Sequence, residues 1–438
     1  MNEAALSELA GWVTEAGLIG RSESELMGGF CRRLGKAGVP LARGLVILDT
    51  LHPIYEGRAF RWRSDMPEAA EAVDYGRTSE GEAAENWRNS PFFHLLESGE
   101  TAMRRRLAAG DPADFPTIAQ ARDEGATDYL VLVHRFAAEG VIGEMDCVYS
   151  TWSSDAADGF GEAAVAALKR LAPFLKLAVK SAALARMAGT LAETYLGRDA
   201  GRRVMSGRIV RGVAEKIGAV LWYSDLHGYT NISDNAPPEQ IIPLLNDYAE
   251  VVISAVHGHG GDVLKLIGDG TLAIFTGEDR GEACHAALAA AAQMRKAAAK
   301  LGQNRDRAGL PTIAVYLALH VGDVFYGNVG SKDRLDFTVI GPAVNEVSRI
   351  LAMSRSVEQD LLLSASFADA LDPDMRSRLV SVGRYALRGV ALPQELFIPE
   401  PGFHIALPAS QDPYKVRSLS RSGQLLHART CESRERRP

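Results

Sequence analysis

Long apolar runs, clustered cysteines, internal repeats and an excess of positive charge are all missing from this 438-residue chain. No stretch approaches the roughly 20 consecutive apolar residues that a bilayer-spanning helix requires, so a membrane span is not expected. The opening MNEAALSELAGW lacks the basic-then-apolar order of a secretion signal, and a cytoplasmic location is the expectation. Cys31, Cys147, Cys284 and Cys431 are scattered without CxxC or metal-ligand spacing, which suits buried or idle thiols in a reducing compartment. A formal charge of -7 argues against bulk nucleic-acid binding, yet leaves room for a small polyphosphate held by a few basic groups. Without a repeat, solenoids and propellers drop out, and the architecture must come from separate domains.

An apolar fraction of 47% against 24% charged, with a mean hydropathy of -0.06, is ordinary for a globular chain that buries cores in both halves. At roughly 150 residues per domain, the length implies two or three compact units. Residues 1–180 mix helical stretches (Glu3–Ala16, Glu23–Lys36) with strand-like runs such as GLVILDT, YLVLVHRF and VIGEMDCVYS. The order of helix, strands and closing helix is similar to that of an α+β GAF domain serving as a sensor of an unknown ligand, with a PAS-like unit as the alternative. From Gly161 to Leu196 an Ala-, Leu- and Lys-rich segment keeps helical spacing through Pro173. It suits equally a helix that closes the first domain and one that pairs two chains. Residues 181–215 are expected to be a helical connector ending in the glycine-punctuated basic linker LGRDAGRRVMSGRIVRG, and 401–438 a poorly ordered tail.

Residues 216–400 alternate strands and helices, which predicts an α/β sandwich of sheet and helices. Three segments carry its chemistry. In AVLWYSDL the apolar run stops at Asp225, beside a glycine-containing turn of the kind that offers backbone N–H groups to phosphate. In GGDVLKLIGDGTLAIF two strand-like runs flank Gly268-Asp269-Gly270, whose Asp-Gly pair favours a tight hairpin with Asp269 at its tip. An aspartate at either place alone is ordinary capping or turn chemistry. Two carboxylates on adjacent strand ends, however, suit one or two Mg²⁺ ions that bridge phosphate oxygens. In RLDFTVIGPAVNEVSRI, Asn345 and Arg349 fall four apart on one helix face, where a guanidinium and an amide can cap charge developing on a phosphoryl group.

In this order and at these separations, SDLHGYT, GGDVLKLIGDG and DFTVIGPAVNEVSRI resemble the catalytic domain of class III nucleotidyl cyclases. The resemblance implies an adenylate cyclase domain preceded by a GAF-like domain, converting ATP to 3′,5′-cyclic AMP and pyrophosphate with two Mg²⁺ or Mn²⁺ ions per site. It further implies metal ligation by Asp225, Asp269 and the carbonyl of Leu226, purine recognition by Lys265 and Thr338, and transition-state contacts from Asn345 and Arg349. It also implies a homodimer whose composite sites take the metal aspartates from one chain and the purine and transition-state residues from the other. A lysine only donates, so Lys265 suits the N1 acceptor of adenine and not the protonated N1 of guanine. Thr338 stands where many relatives carry Asp, similar to a Lys–Thr subgroup that includes bicarbonate-responsive cyclases. Tyr316 stands where some relatives carry a triphosphate-contacting Arg; Lys332, Arg334 or Arg388 could supply such a charge, although each alone reads as an ordinary surface residue. Guanylate cyclase is an alternative. Diguanylate cyclase is another, because Gly260-Gly261-Asp262-Val263-Leu264 superficially resembles the GGDEF signature, but its last two residues do not match and the Asp269 and Asn345/Arg349 elements have no place in it. A non-catalytic cyclase-like domain is the third, set against the presence here of all six functional side chains.

Overall fold

The computed structural model describes residues 2–136, 143, 145–390 and 392–400, so the expected tail at 401–438, with Cys431, lies outside the described residues. The chain divides into two compact units, one running to Leu191 and the other beginning at Ala192. Among the described residues no helix is long and apolar enough to cross a membrane.

The first unit opens with α1 (Glu3–Leu18) and α2 (Glu23–Lys36). Its α2 starts at a reciprocal cap, in which the Ser22 side chain accepts from the Glu25 N–H and the Glu25 carboxylate receives the Ser22 N–H. Strands β1 (Arg43–Asp49), β2 (Gly57–Arg63) and β3 (Met66–Tyr75) lead to α3 (Gly81–Arg88) and α4 (Pro91–Ser98). Then follow β4 (Ala102–Arg105), α5 (Pro116–Asp123), β5 (Asp128–Arg135), β6 (Cys147–Ser154) and α6 (Glu162–Leu196). The strands form one antiparallel sheet in the order β3-β2-β1-β6-β5-β4. Every residue of β6 is buried, because α1, α2 and α6 cover one face while α4 and α5 cover the other. This layout is compatible with a GAF-like domain. The Lys176 ammonium, buried beneath α6, donates to the carbonyls of Leu132 at 3.0 Å and Val148 at 3.2 Å, and lies 2.8 Å from His134 Nδ1. Burial pulls Lys176 down to about 7 and His134 to about 4.

The expected basic linker is in part a helix, α7 (Arg198–Met205). Gly197, at φ 88° and ψ 158°, does end α6, but Asp199 and Glu215 then neutralise Arg203 and Glu215 also receives Arg208, so the basic run no longer repels itself and a new turn forms. The second unit continues with β7 (Ala214–Leu226), α8 (Tyr229–Asn235), α9 (Pro238–Gly258), β8 (Asp262–Ile267), β9 (Gly270–Phe275) and α10 (Arg280–Arg307). Its remainder is β10 (Val315–Gly330), β11 (Leu335–Ile340), α11 (Pro342–Val357), β12 (Leu361–Ser364), α12 (Ala365–Ala370), α13 (Pro373–Ser377), β13 (Leu379–Tyr385) and β14 (Gln394–Pro399).

The sheet runs β13-β14-β12-β10-β7-β9-β8, with β11 paired to the far half of β10. Among the described residues only β10 and β12 pair in parallel. Along β10, Leu317, Leu319 and Val321 face a core built with α9 and α10, whereas Ala318, Val324 and Tyr326 face a second core under α11. The expected α/β sandwich is therefore present, with helices on both faces. β10 runs on to Gly330 through Gly327, a strand glycine: a Cβ there would come within 2.2 Å of the Val213 carbonyl oxygen.

Candidate active site

Asp225 is the penultimate residue of β7, and three neighbours in the sheet fix its surroundings. Across β10 its partner in register is Tyr316, and on the other side Ser224 pairs with Thr271 of β9, which draws the β8–β9 turn to the end of β7. That turn is Gly268-Asp269, since Ile267 pairs with Gly270. The expected Asp-Gly centre is thus shifted by one residue: Gly268, at φ 64°, takes the positive-φ first position and Asp269 the second. Asp269 still stands at the tip, where its carboxyl acts on that of Asp225. Burial, and then Asp269, raise Asp225 to about 6, as expected of two carboxylates that cannot both hold charge side by side without a cation.

Beneath the pair, Trp222 Nε1 donates to Ser224 Oγ at 3.0 Å and Ser224 Oγ lies 3.0 Å from the Tyr248 hydroxyl, tying the end of β7 to α9. The side chain of Leu226 is buried, and its N–H faces the Asp225 carboxylate. Among the described residues no three His, Cys, Asp or Glu side chains gather into a metal cluster. A carboxylate pair with one raised member, next to a strand-end carbonyl, is still an oxygen-only donor set that fits Mg²⁺ or Mn²⁺ with water completing the shell.

Lys265 lies on β8 just after a register shift between Val263 and Lys265, a bulge that re-aims the side chain. It forms an ion pair with Asp336 of β11. Thr338 follows two residues later, on the same strand face as Asp336, and is buried opposite Gly327. Asn345 and Arg349 are one turn apart on α11, away from its buried stripe of Ala343, Val347, Ile350, Leu351 and Ser354. Arg349 lies against Gly389, where a Cβ would meet its Nη1 at 2.9 Å.

The structure therefore gathers the seven expected site residues into three groups: Asp225 and Asp269 with Leu226, Lys265 with Thr338, and Asn345 with Arg349. Among the described residues no hydrogen bond or ion pair joins one group to another. Sequence reasoning missed Asp336, whose signal was its spacing of two from Thr338 on one strand, and Arg355, which acts on Asp225 from the end of α11. Lys332, Arg334 and Arg388 are exposed. The Tyr316 ring packs edge-on to His227 with centroids 4.7 Å apart.

Residues 214–399 match the family model described as the adenylate and guanylate cyclase catalytic domain. Over 155 residues the chain is 34% identical to an adenylate cyclase of Anabaena cylindrica, covering 35% of this chain and 31% of that protein. Over 208 residues it is 33% identical to an uncharacterised protein of Mycobacterium tuberculosis, covering 46% of this chain and 37% of that protein. The chain spans about a third of the length of these curated relatives. A solved bacterial light-regulated adenylyl cyclase is 20% identical with a TM-score of 0.45, over 52% of this chain and 63% of that one. It is the second unit, over residues 214–399, that matches the adenylate and guanylate cyclase catalytic domain.

Proposed function

We propose that this cyclase domain is an adenylate cyclase, making 3′,5′-cyclic AMP and pyrophosphate from ATP. The observation that carries the choice of ATP is Lys265. Its ammonium can donate to adenine N1 but cannot accept the N1–H of guanine, and the nearby carboxylate that could accept it, Asp336, is engaged by Lys265 itself. Thr338 stands on the same strand face to complete recognition of the base.

Asp225, Asp269 and the Leu226 carbonyl would hold Mg²⁺ or Mn²⁺, two ions per site. When bound, the ions neutralise phosphate oxygens and favour deprotonation of the attacking hydroxyl. The ribose 3′ hydroxyl gives up its proton to solvent as its oxygen forms a bond to the α-phosphorus, the bond from that phosphorus to the bridging oxygen breaks, and pyrophosphate leaves. Arg349 and Asn345 would face the oxygens on which charge develops, an interaction stronger in the transition state than in bound ATP.

That no hydrogen bond or ion pair joins the three groups among the described residues fits a two-fold homodimer in which Asp225 and Asp269 of one chain meet Lys265, Thr338, Asn345 and Arg349 of the other. Exposed apolar side chains next to these groups, Leu266 and Ile267 beside Asp269 and Phe325 and Ile340 on β10 and β11, suit such a face. In this reading the first unit is the regulatory part, with a ligand of unidentified chemistry, and the protein acts in intracellular signalling.

Product identity is the test. Purified chain given ATP or GTP with Mg²⁺ or Mn²⁺ is expected to release cyclic AMP and pyrophosphate in equal amounts. Cyclic GMP as the main product, or no cyclic nucleotide at all, would overturn the proposal.

A further inference from the structure

His320 stands on β10 at 5% exposure, and no step of the proposed reaction uses it. Its Nδ1 lies 3.0 Å from Ser364 Oγ and 3.2 Å from Ser366 Oγ, while its Nε2 lies 3.6 Å from the Glu346 carboxylate. Burial lowers the imidazole to about 4, so the ring is neutral near pH 7 and carries a single N–H. A proton on Nδ1 would leave the bare lone pair of Nε2 facing an anionic oxygen. A proton on Nε2 instead lets Nδ1 accept from a serine hydroxyl and sets the N–H dipole against Glu346.

The sequence hydroxyl, imidazole, carboxylate is that of a hydrolytic relay, but here it has no nucleophilic use. Ser364 is 1% exposed, and its oxygen receives the Phe367 N–H at 3.1 Å as the cap of α12. What the cluster does is mechanical. Two residues along the same face of β10, Gly322 lies directly under α11: a Cβ there would meet Ala343 Cβ at 2.4 Å and His320 Nε2 at 3.2 Å. The first turn of α11 thus rests on bare backbone, with His320 and Glu346 as the polar contact at the rim of that seat. Glu346 directly follows Asn345 and precedes Arg349 by three residues.

We infer that His320 and Glu346 are positioning residues that fix the turn of α11 bearing Asn345 and Arg349, an inference that rests on the transition-state role proposed for that pair. Misplacement of such groups by about 1 Å costs on the order of 100-fold in rate, whereas binding of the nucleotide through other elements is unaffected. The signature is a loss in kcat without a matching rise in KM.

The test uses the full chain with ATP and Mn²⁺. Because a His320 variant can fail by unfolding, Glu346, at the helix surface, is the one to change. Glu346→Ala is expected to lower kcat about 10- to 100-fold with KM within about twofold. Glu346→Gln, whose amide oxygen still faces Nε2–H, is expected to recover to within about fivefold of wild type. In an Asn345→Ala background the further loss from Glu346→Ala should shrink, since part of what it positions is gone. A wild-type kcat in Glu346→Ala beside an impaired Asn345→Ala overturns the positioning role alone, as does a fully additive loss in the double variant. Full activity in Asn345→Ala overturns the assignment of Asn345 and the positioning claim with it.

Discussion

Lys265 and Asp336 close an ion pair between β8 and β11, and through it the residue proposed to read the base is held by the first residue of the DFTVIGPAVNEVSRI stretch, to which no role had been assigned. Both side chains are about 40% exposed (39% and 41%), so the pair contributes at most about 1 kcal/mol to folding and its value lies in orientation. Lys265→Glu would set two carboxylates against each other. The discriminating variant is therefore Lys265→Glu, Thr338→Cys with Asp336→Asn. It is expected to lower the ratio of ATP to GTP kcat/KM by at least about tenfold while the melting temperature shifts by no more than a few degrees, since mismatched hydrogen bonds leave buried polar groups unpaired. An unchanged ratio in competitive turnover assays would show that the base is read elsewhere.

Removing either carboxylate of the Asp225–Asp269 pair should stop the chemistry and spare the fold. Asp225→Ala and Asp269→Ala are each expected to lose more than about 100-fold in kcat, with circular dichroism unchanged. Excess chelator should do the same to the wild type. Near-wild-type turnover in either variant would remove the metal assignment.

Asp225 also sets a pH dependence. Its folded value, about 6, lies above the ordinary 3.8, so the metal-free protein holds a proton there that the unfolded chain releases. That contribution to stability is complete below about 3.8 and is lost as pH rises through 6. A metal must displace the same proton. Mn²⁺ affinity measured by titration calorimetry is therefore expected to fall by up to about tenfold per pH unit below 6 and to level off above it. Asp225→Asn should abolish the slope along with most of the binding. An affinity flat from pH 5 to 7 in the wild type would contradict this reading.

Lys176 gives the first unit the opposite slope. Its folded value, near 7, lies below the ordinary 10.5, so the unfolded chain binds more protons between those limits and stability rises with pH across them. Replacing it with Met removes that dependence. Hydrogen exchange of the β5 and β6 amides in the full chain should show wild type gaining on Lys176→Met from pH 7 to 9. A difference that does not change with pH would mean that Lys176 keeps its charge throughout.

Much of this was legible in the sequence because each chemical group is local. Asp225 at the end of an apolar run, Asp269 between two strand-like runs, and Asn345 and Arg349 four apart all follow from short-range periodicity. What the sequence concealed depends on contacts between distant segments. The Gly268-Asp269 turn is set by the pairing of Ile267 with Gly270, and Gly327 is needed inside a strand by its close approach to Val213. α7 was hidden because its arginines look self-repelling until Glu215, from the next strand, neutralises them. Asp336 and His320 had no role assigned; their partners lie 71 residues away on β8 and 44 residues away on β12.

The central claim is that ATP is cyclised at a site shared by two copies of this chain, and complementation tests it most directly. Asp225→Ala and Arg349→Ala chains, each inactive alone, are mixed under conditions that allow subunit exchange, and cyclic AMP synthesis is measured. In a mixed dimer one site inherits both lesions and the other none. With random exchange about half of the dimers are mixed, so recovery should approach roughly a quarter of the wild-type rate. Mixed dimers that demonstrably form yet produce no cyclic AMP would contradict the account and leave a site built within one chain.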